Sequence, residues 1–161
     1  MHDVIGLAES PEEINDLVVE RMAEQYRSRL PLLPGAVEAV ERIAPRWPLG
    51  LASSSNRRLI DLVVELSGLA KHFRATVSSE EVDRGKPAPD VYLEAAGRLG
   101  VEPNRAAAVE DSDAGIRSAA AAGMRVIAIP NRSFPPSKDA FARAHLVLDS
   151  LADLTPAAIE A

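Results

Sequence analysis

Glu110 and Asp111 stand side by side after the apolar run Ala106 to Val109, and two adjacent carboxylates at the end of such a run offer the hard oxygen ligands that Mg²⁺ requires. A second polar cluster, Ser53-Ser54-Ser55-Asn56, follows the run Leu49-Gly50-Leu51-Ala52. There a hydroxyl and the free N–H groups of a helix start could point at one anion, as helix N-termini do for phosphate. Lys86 lies between Gly85 and Pro87, so a braced loop presents a long cation able to offset charge from carboxylates and a phosphate. Each feature has a plainer alternative. Asp111, Ser112 or Asp113 can simply cap the helix that follows, and Ser-Ser-Ser-Asn is also what an ordinary N-cap looks like. Taken alone, capping is the commoner reading by roughly two to one. A loop lysine alone is mostly solvated surface. Only the three features gathered at one sheet edge would outweigh those alternatives.

The elements that must do the gathering can be read from periodicity. Apolar residues Ile14, Leu17, Val18, Met22 and Tyr26 recur at helical steps between Pro11 and Arg29, with Ser10 and Glu13 forming a capping box at the start. Pro31 and Pro34 end that helix, and Gly35 opens a second one that stops before Pro45. From there strands and helices alternate. Leu49–Ala52 is a short apolar run without alternation, as expected of a strand covered on both faces of a parallel sheet. Residues 59–69 are helical by spacing, 75–77 read as a strand, 89–99 as a helix and 106–109 as a strand. A helix over 114–122 closes at Gly123, followed by a strand over 125–129, a loop over 131–138 and an edge strand over 145–148. This rhythm predicts an α/β fold with a parallel sheet, right-handed crossovers and helices on both faces. In such sheets ligands bind beyond the carboxyl ends of the strands, where all three polar clusters fall.

Composition narrows the function. The chain has 161 residues, enough for one domain with a real core, and its 47% hydrophobic and 26% charged residues are ordinary for a globular protein. It has no cysteine, which excludes disulfides and thiolate chemistry, and His2, His72 and His145 are too scattered for a zinc cluster. A net charge of −6 argues against a nucleic-acid or anionic-membrane surface. No apolar run approaches a membrane span, and Met1-His2-Asp3 opens no signal-type segment, so a cytoplasmic location is the expectation. Neither Gly-x-Gly-x-x-Gly nor a P-loop is present, which removes a dinucleotide-binding reading.

Leu51-Ala52-Ser53-Ser54-Ser55, Gly85-Lys86-Pro87-Ala88-Pro89-Asp90 and Val109-Glu110-Asp111-Ser112-Asp113-Ala114-Gly115-Ile116 with Ala122-Gly123 resemble, in order, the second, third and fourth motifs of haloacid dehalogenase (HAD) hydrolases. The look is that of the β-phosphoglucomutase-like phosphatase branch, over roughly residues 32–154. The resemblance implies a HAD-like Rossmannoid three-layer sandwich over residues 34–161, preceded over 1–33 by the remnant of a helical cap. It implies Mg²⁺-dependent phosphoryl transfer from a small phosphorylated metabolite, such as a sugar phosphate, by a phosphatase or a phosphomutase. Ser53 would hold phosphoryl oxygens, with Ser54 and Asn56 as further substrate contacts. Lys86 would neutralise nucleophile and phosphate, and Asp111 would bind Mg²⁺ with Glu110 assisting directly or through water.

One departure is large. The family begins with an apolar strand ending in Asp-x-Asp-Gly, whose first aspartate attacks phosphorus, and no such string occurs here; Asp3 is followed by Val4-Ile5-Gly6. The missing strand is the central one of the family's sheet, between those carrying Ser53 and Glu110. The expectation is a chain shortened at its N-terminus, inactive alone, with exposed apolar surface that favours a homodimer. The gap could close by direct pairing of the 49–52 and 106–109 strands. A different class of function, a non-catalytic domain that binds phosphorylated ligands or a partner, stays open beside the enzyme reading.

Overall fold

A computed structural model of the chain describes residues 10–160; the readings of His2 and Asp3 lie outside them. In order, the elements are α1 (Pro11–Ser28), α2 (Ala36–Ile43), β1 (Leu49–Ser53), α3 (Arg57–Leu66), β2 (Phe73–Ser78), α4 (Asp90–Leu99), β3 (Ala107–Glu110), α5 (Asp113–Ala121), β4 (Arg125–Ala128), α6 (Lys138–Phe141), β5 (Leu146–Val147) and α7 (Pro156–Glu160). The Ser10–Glu13 capping box forms as the sequence predicts. The predicted α/β alternation holds, and every strand pair is parallel. Among the described residues no helix is long and apolar enough to cross a membrane.

The strands fall into two sheets, β1-β2 and β3-β4-β5. Ser53 pairs with Ser78 at the end of the first, and Glu110 with Ala128 at the end of the second. Direct pairing of the Ser53 and Glu110 strands, one way the gap could have closed, does not occur. Among the described residues β1 and β3 each keep one unpaired edge, and Gly50, Ala107 and Val109 stay exposed there. What joins the sheets is a shared core: Val77 of β2, Val91 and Ala95 of α4, Ala108 of β3, Ile116 of α5 and Val126 of β4 form one buried cluster. Alternation along β4 sends Ile127 to the opposite face, where it meets Ala39 of α2, Ile129 and Leu154. Helices thus cover both faces. α1 packs on α3 through Val19, Ala23 and Leu59, away from either of those clusters.

Two details differ from expectation. The segment 131–138 is followed by one helical turn, α6, too short to leave a periodic signal. The third strand runs one residue further than predicted, so Glu110 is its last residue and is buried.

Candidate functional site

Ser53, Lys86 and Glu110 converge at the carboxyl ends of β1 and β3. The Lys86 ammonium donates to the carbonyl of Ala52 at 3.1 Å and to a carboxylate oxygen of Glu110, bridging the two sheets where no backbone bond does. Its side chain is 10% exposed and that of Glu110 7%, so the surface-lysine alternative is excluded by burial. The Tyr92 ring lies 4.8 Å from the ammonium, and the Tyr92 hydroxyl donates to the same Glu110 oxygen. Burial, then the negative charge of Glu110, hold the Tyr92 phenol well above its usual pKa, so it keeps its proton and donates a hydrogen bond at any physiological pH. The second Glu110 oxygen accepts from the Ser112 hydroxyl at 3.3 Å.

Gly115 explains why this carboxylate fits. A Cβ at that position would stand 1.9 Å from a Glu110 oxygen, so the first turn of α5 must be bare where the carboxylate lies over it. Ser112 is the N-cap of α5, accepting from the Gly115 amide at 3.1 Å, and Asp113 receives Ser137 and Arg117. The capping alternative therefore accounts for Ser112 and Asp113. It leaves Asp111, which is half-buried and whose carboxylate meets no hydrogen-bond donor among the described residues. A cavity of about 190 Å³ lined by Leu33, Val109, Glu110, Asp111, Ile129 and Leu151 opens beside it.

The Ser53–Asn56 loop is not a simple N-cap. Asn56 occupies the cap position of α3 without a side-chain capping bond. Its amide nitrogen instead donates to Glu80, whose other oxygen accepts from the Arg57 amide at 2.7 Å. This differs from the expected cradle, because the first amide of α3 already has an anion. Ser53 accepts from the Ser55 amide at 3.1 Å, while Ser54 and Ser55 are exposed. Sequence reasoning missed Tyr92 and the turn Ser78-Ser79-Glu80. The latter starts at the last residue of β2 as the Ser53–Asn56 loop starts at the last residue of β1, so the strand-end rule could have found it. A larger concavity, about 530 Å³, is lined by Glu81, Asp83, Arg84, Asp90 and Glu94 among others. It is acidic, holds none of the six predicted site residues and offers an anion little.

A family model described as haloacid dehalogenase-like hydrolase matches residues 3–123. Hexitol phosphatase B of Escherichia coli K12 is 36% identical over 147 residues, 91% of this chain and 66% of that protein, so the chain spans about two thirds of this relative. The crystal structure of CbbY from Rhodobacter sphaeroides in complex with phosphate matches with a TM-score of 0.74 at 25% identity, covering 99% of this chain and 88% of that one. β-Phosphoglucomutase from Clostridium difficile matches with a TM-score of 0.75 at 24% identity, over 94% of this chain and 67% of that one, a likeness of fold. The motif residues, the bridged strand ends and the family match converge: the chain belongs to the haloacid dehalogenase-like hydrolases.

Proposed function

We propose that this chain supplies the phosphate- and metal-binding part of a Mg²⁺-dependent phosphohydrolase acting on a small phosphorylated metabolite such as a sugar phosphate. The observation that carries the reading is the buried Lys86 ammonium, held between the end of β1 beside Ser53 and the carboxylate next to Asp111. A cation placed there has no packing purpose that an apolar side chain would not serve at lower desolvation cost. The names of the relatives, a hexitol phosphatase and a phosphate-bound CbbY, support the choice of substrate class.

In this reading Ser53 donates its hydroxyl to a phosphoryl oxygen, with Ser54 and Asn56 beside it. Lys86 has three N–H donors, of which two are used, and gives the third to the phosphate. Among the described residues no three acidic or imidazole groups gather to hold a metal by themselves. The donor set still fits Mg²⁺, which is held by one or two carboxylates together with waters and substrate phosphate. Asp111 would bind it directly, and Glu110, its oxygens already engaged by Lys86, Tyr92 and Ser112, would reach it through water. Bound there, Mg²⁺ would draw negative charge from the phosphoryl oxygens.

The attacking aspartate that the family resemblance implies is not in an Asp-x-Asp-Gly string of this sequence. The chain alone is accordingly silent in turnover, and catalysis needs that carboxylate on a strand lying between β1 and β3. Calorimetric titration with inorganic phosphate, with and without Mg²⁺, tests the binding half. Phosphate should bind, more tightly with Mg²⁺, and Asp111→Asn should remove the Mg²⁺ effect. Phosphate release from hexitol and sugar phosphates should appear only once an apolar strand ending in Asp-x-Asp-Gly is fused or added. A wild-type chain that ignores phosphate under all conditions refutes the reading.

A further inference from the structure

We propose that the turn Ser78-Ser79-Glu80 sets the phosphate affinity of the Ser53–Asn56 loop by positioning it, without touching the ligand; this rests on the phosphate-binding reading above. Ser53 and Ser78 are register partners, so the two segments leave the sheet side by side. Each loop residue beyond Ser53 is then tied to the turn. Ser79 donates to the Ser54 carbonyl at 3.1 Å and Ser78 to the Ser55 carbonyl at 2.7 Å. Glu80 takes the Asn56 side chain with one oxygen and the Arg57 amide with the other.

The direction of these bonds matters more than their number. A loop carbonyl facing a phosphate would repel it, and the two serine hydroxyls hold both carbonyls toward β2. In a trans peptide the N–H points opposite to the C=O. Fixing the Ser54 and Ser55 carbonyls therefore turns the Ser55 and Asn56 amides away from β2. The turn is itself rigid enough to impose this. Ser78 is fully buried and its hydroxyl also accepts the Glu80 amide at 3.1 Å. Glu81 accepts from the Ser78 amide and is clamped by Arg57 and Arg98.

Positioning and plain electrostatics predict opposite signs. If Glu80 acted only as a nearby negative charge, removing it would tighten phosphate binding. If it positions the loop, removing it loosens binding despite the relief of repulsion. Phosphate is titrated calorimetrically into the full chain and into Glu80→Ala, Glu80→Gln, Ser79→Ala and Glu94→Gln variants. Glu80→Ala should weaken binding about tenfold, the scale of one hydrogen bond to a charged group. Glu80→Gln, which keeps an oxygen for the Arg57 amide, should stay within about threefold. Glu94→Gln alters the Arg98 ion pairs without touching the loop and should leave affinity unchanged. Unchanged or tighter binding by Glu80→Ala overturns the proposal, as does equal weakening by Glu94→Gln. Should Glu80→Ala fail to fold, Ser79→Ala carries the test, and wild-type affinity in that variant overturns it. Wild-type chain that binds phosphate with variants that bind equally well removes this inference alone; wild-type chain that does not bind removes the site reading as well.

Discussion

Gly115→Ala places two opposing effects on one atom. Gly115 is the third residue of α5, and alanine in a helix is normally worth about 1 kcal/mol over glycine. Here the new Cβ would stand 1.9 Å from one Glu110 oxygen and 2.4 Å from the other, with the carboxyl carbon at 2.1 Å. No rotation of the methyl relieves that, so the carboxylate must leave its place between Lys86, Tyr92 and Ser112. Breaking a buried ion pair costs about 3–5 kcal/mol, because the stranded charge keeps its desolvation penalty. Subtracting the helix gain leaves a net loss of about 2–4 kcal/mol, or a Tm lowered by about 5–15 °C for a domain of this size. Scanning calorimetry and urea unfolding would read it. In a Glu110→Ala background the same substitution should become neutral or stabilising, since the clash has gone and only the helix preference remains. A Gly115→Ala chain as stable as the wild type would refute the reasoning, because it would mean that the carboxylate does not lie over α5.

Two further outcomes follow from the ionisable groups. Of the two tyrosines, Tyr26 is half-buried in α1 and Tyr92 is sealed beneath Lys86 and Glu110. In a spectrophotometric titration, Tyr92 should ionise only as the chain unfolds. Since its pKa is raised in the fold, its contribution to stability is intact below the unfolded value and fades as pH climbs above it. On the acid side, Arg57 holds Glu81 down to about 2, and Ser137 with Arg117 holds Asp113 down to about 2. Both values are depressed, so their stabilisation is present above the unfolded carboxylate range and is lost as pH falls from about 4.5 toward 2. The urea midpoint should fall across that window, less steeply in added salt because both groups are solvent-exposed.

How far the sequence could be read depended on whether a feature lives in side-chain pattern or in backbone pairing. The helices and strands were legible because Leu59 and Ile60, or Val126 and Ile127, mark their buried faces. Ser53, Glu110 and Asp111 were singled out by their place at strand ends and Lys86 by its braced loop, and the structure brings Ser53, Lys86 and Glu110 to the ends of β1 and β3. The split into two sheets was not fixed by the same signals. An unalternating run such as Leu49 to Ala52 says that both faces are covered and says nothing about its lateral neighbours, which meet only backbone atoms. Tyr92 was hidden among apolar helix residues, where an aromatic reads as core. The one-residue shift of β3 had a consequence that the adjacent pair did not foretell. As the last strand residue, Glu110 is buried among Lys86, Tyr92 and Ser112, whereas Asp111 lies past the strand and stays half-exposed, so neighbouring carboxylates enter different environments.

That divergence bears on what the edges of β1 and β3, unpaired among the described residues, are for. The ends of these strands are tied by one side chain, Lys86, rather than by a ladder, and the tie is made at the same atoms that the proposed chemistry would use. An ammonium with two donors committed to a carbonyl and a carboxylate can accept one more anion without reorganising. A strand entering the open edge would bring its last residues up to that third donor, and a phosphate held by Ser53 would arrive at it from the opposite side. Glu110 needs to be buried, paired and incapable of leaving for this to work, which is what Tyr92, Ser112 and the bare first turn at Gly115 secure. In the proposed reading, the burial that would keep Glu110 from meeting a metal directly is thus the condition under which Lys86 remains fixed, while the Asp111 carboxylate meets no hydrogen-bond donor among the described residues.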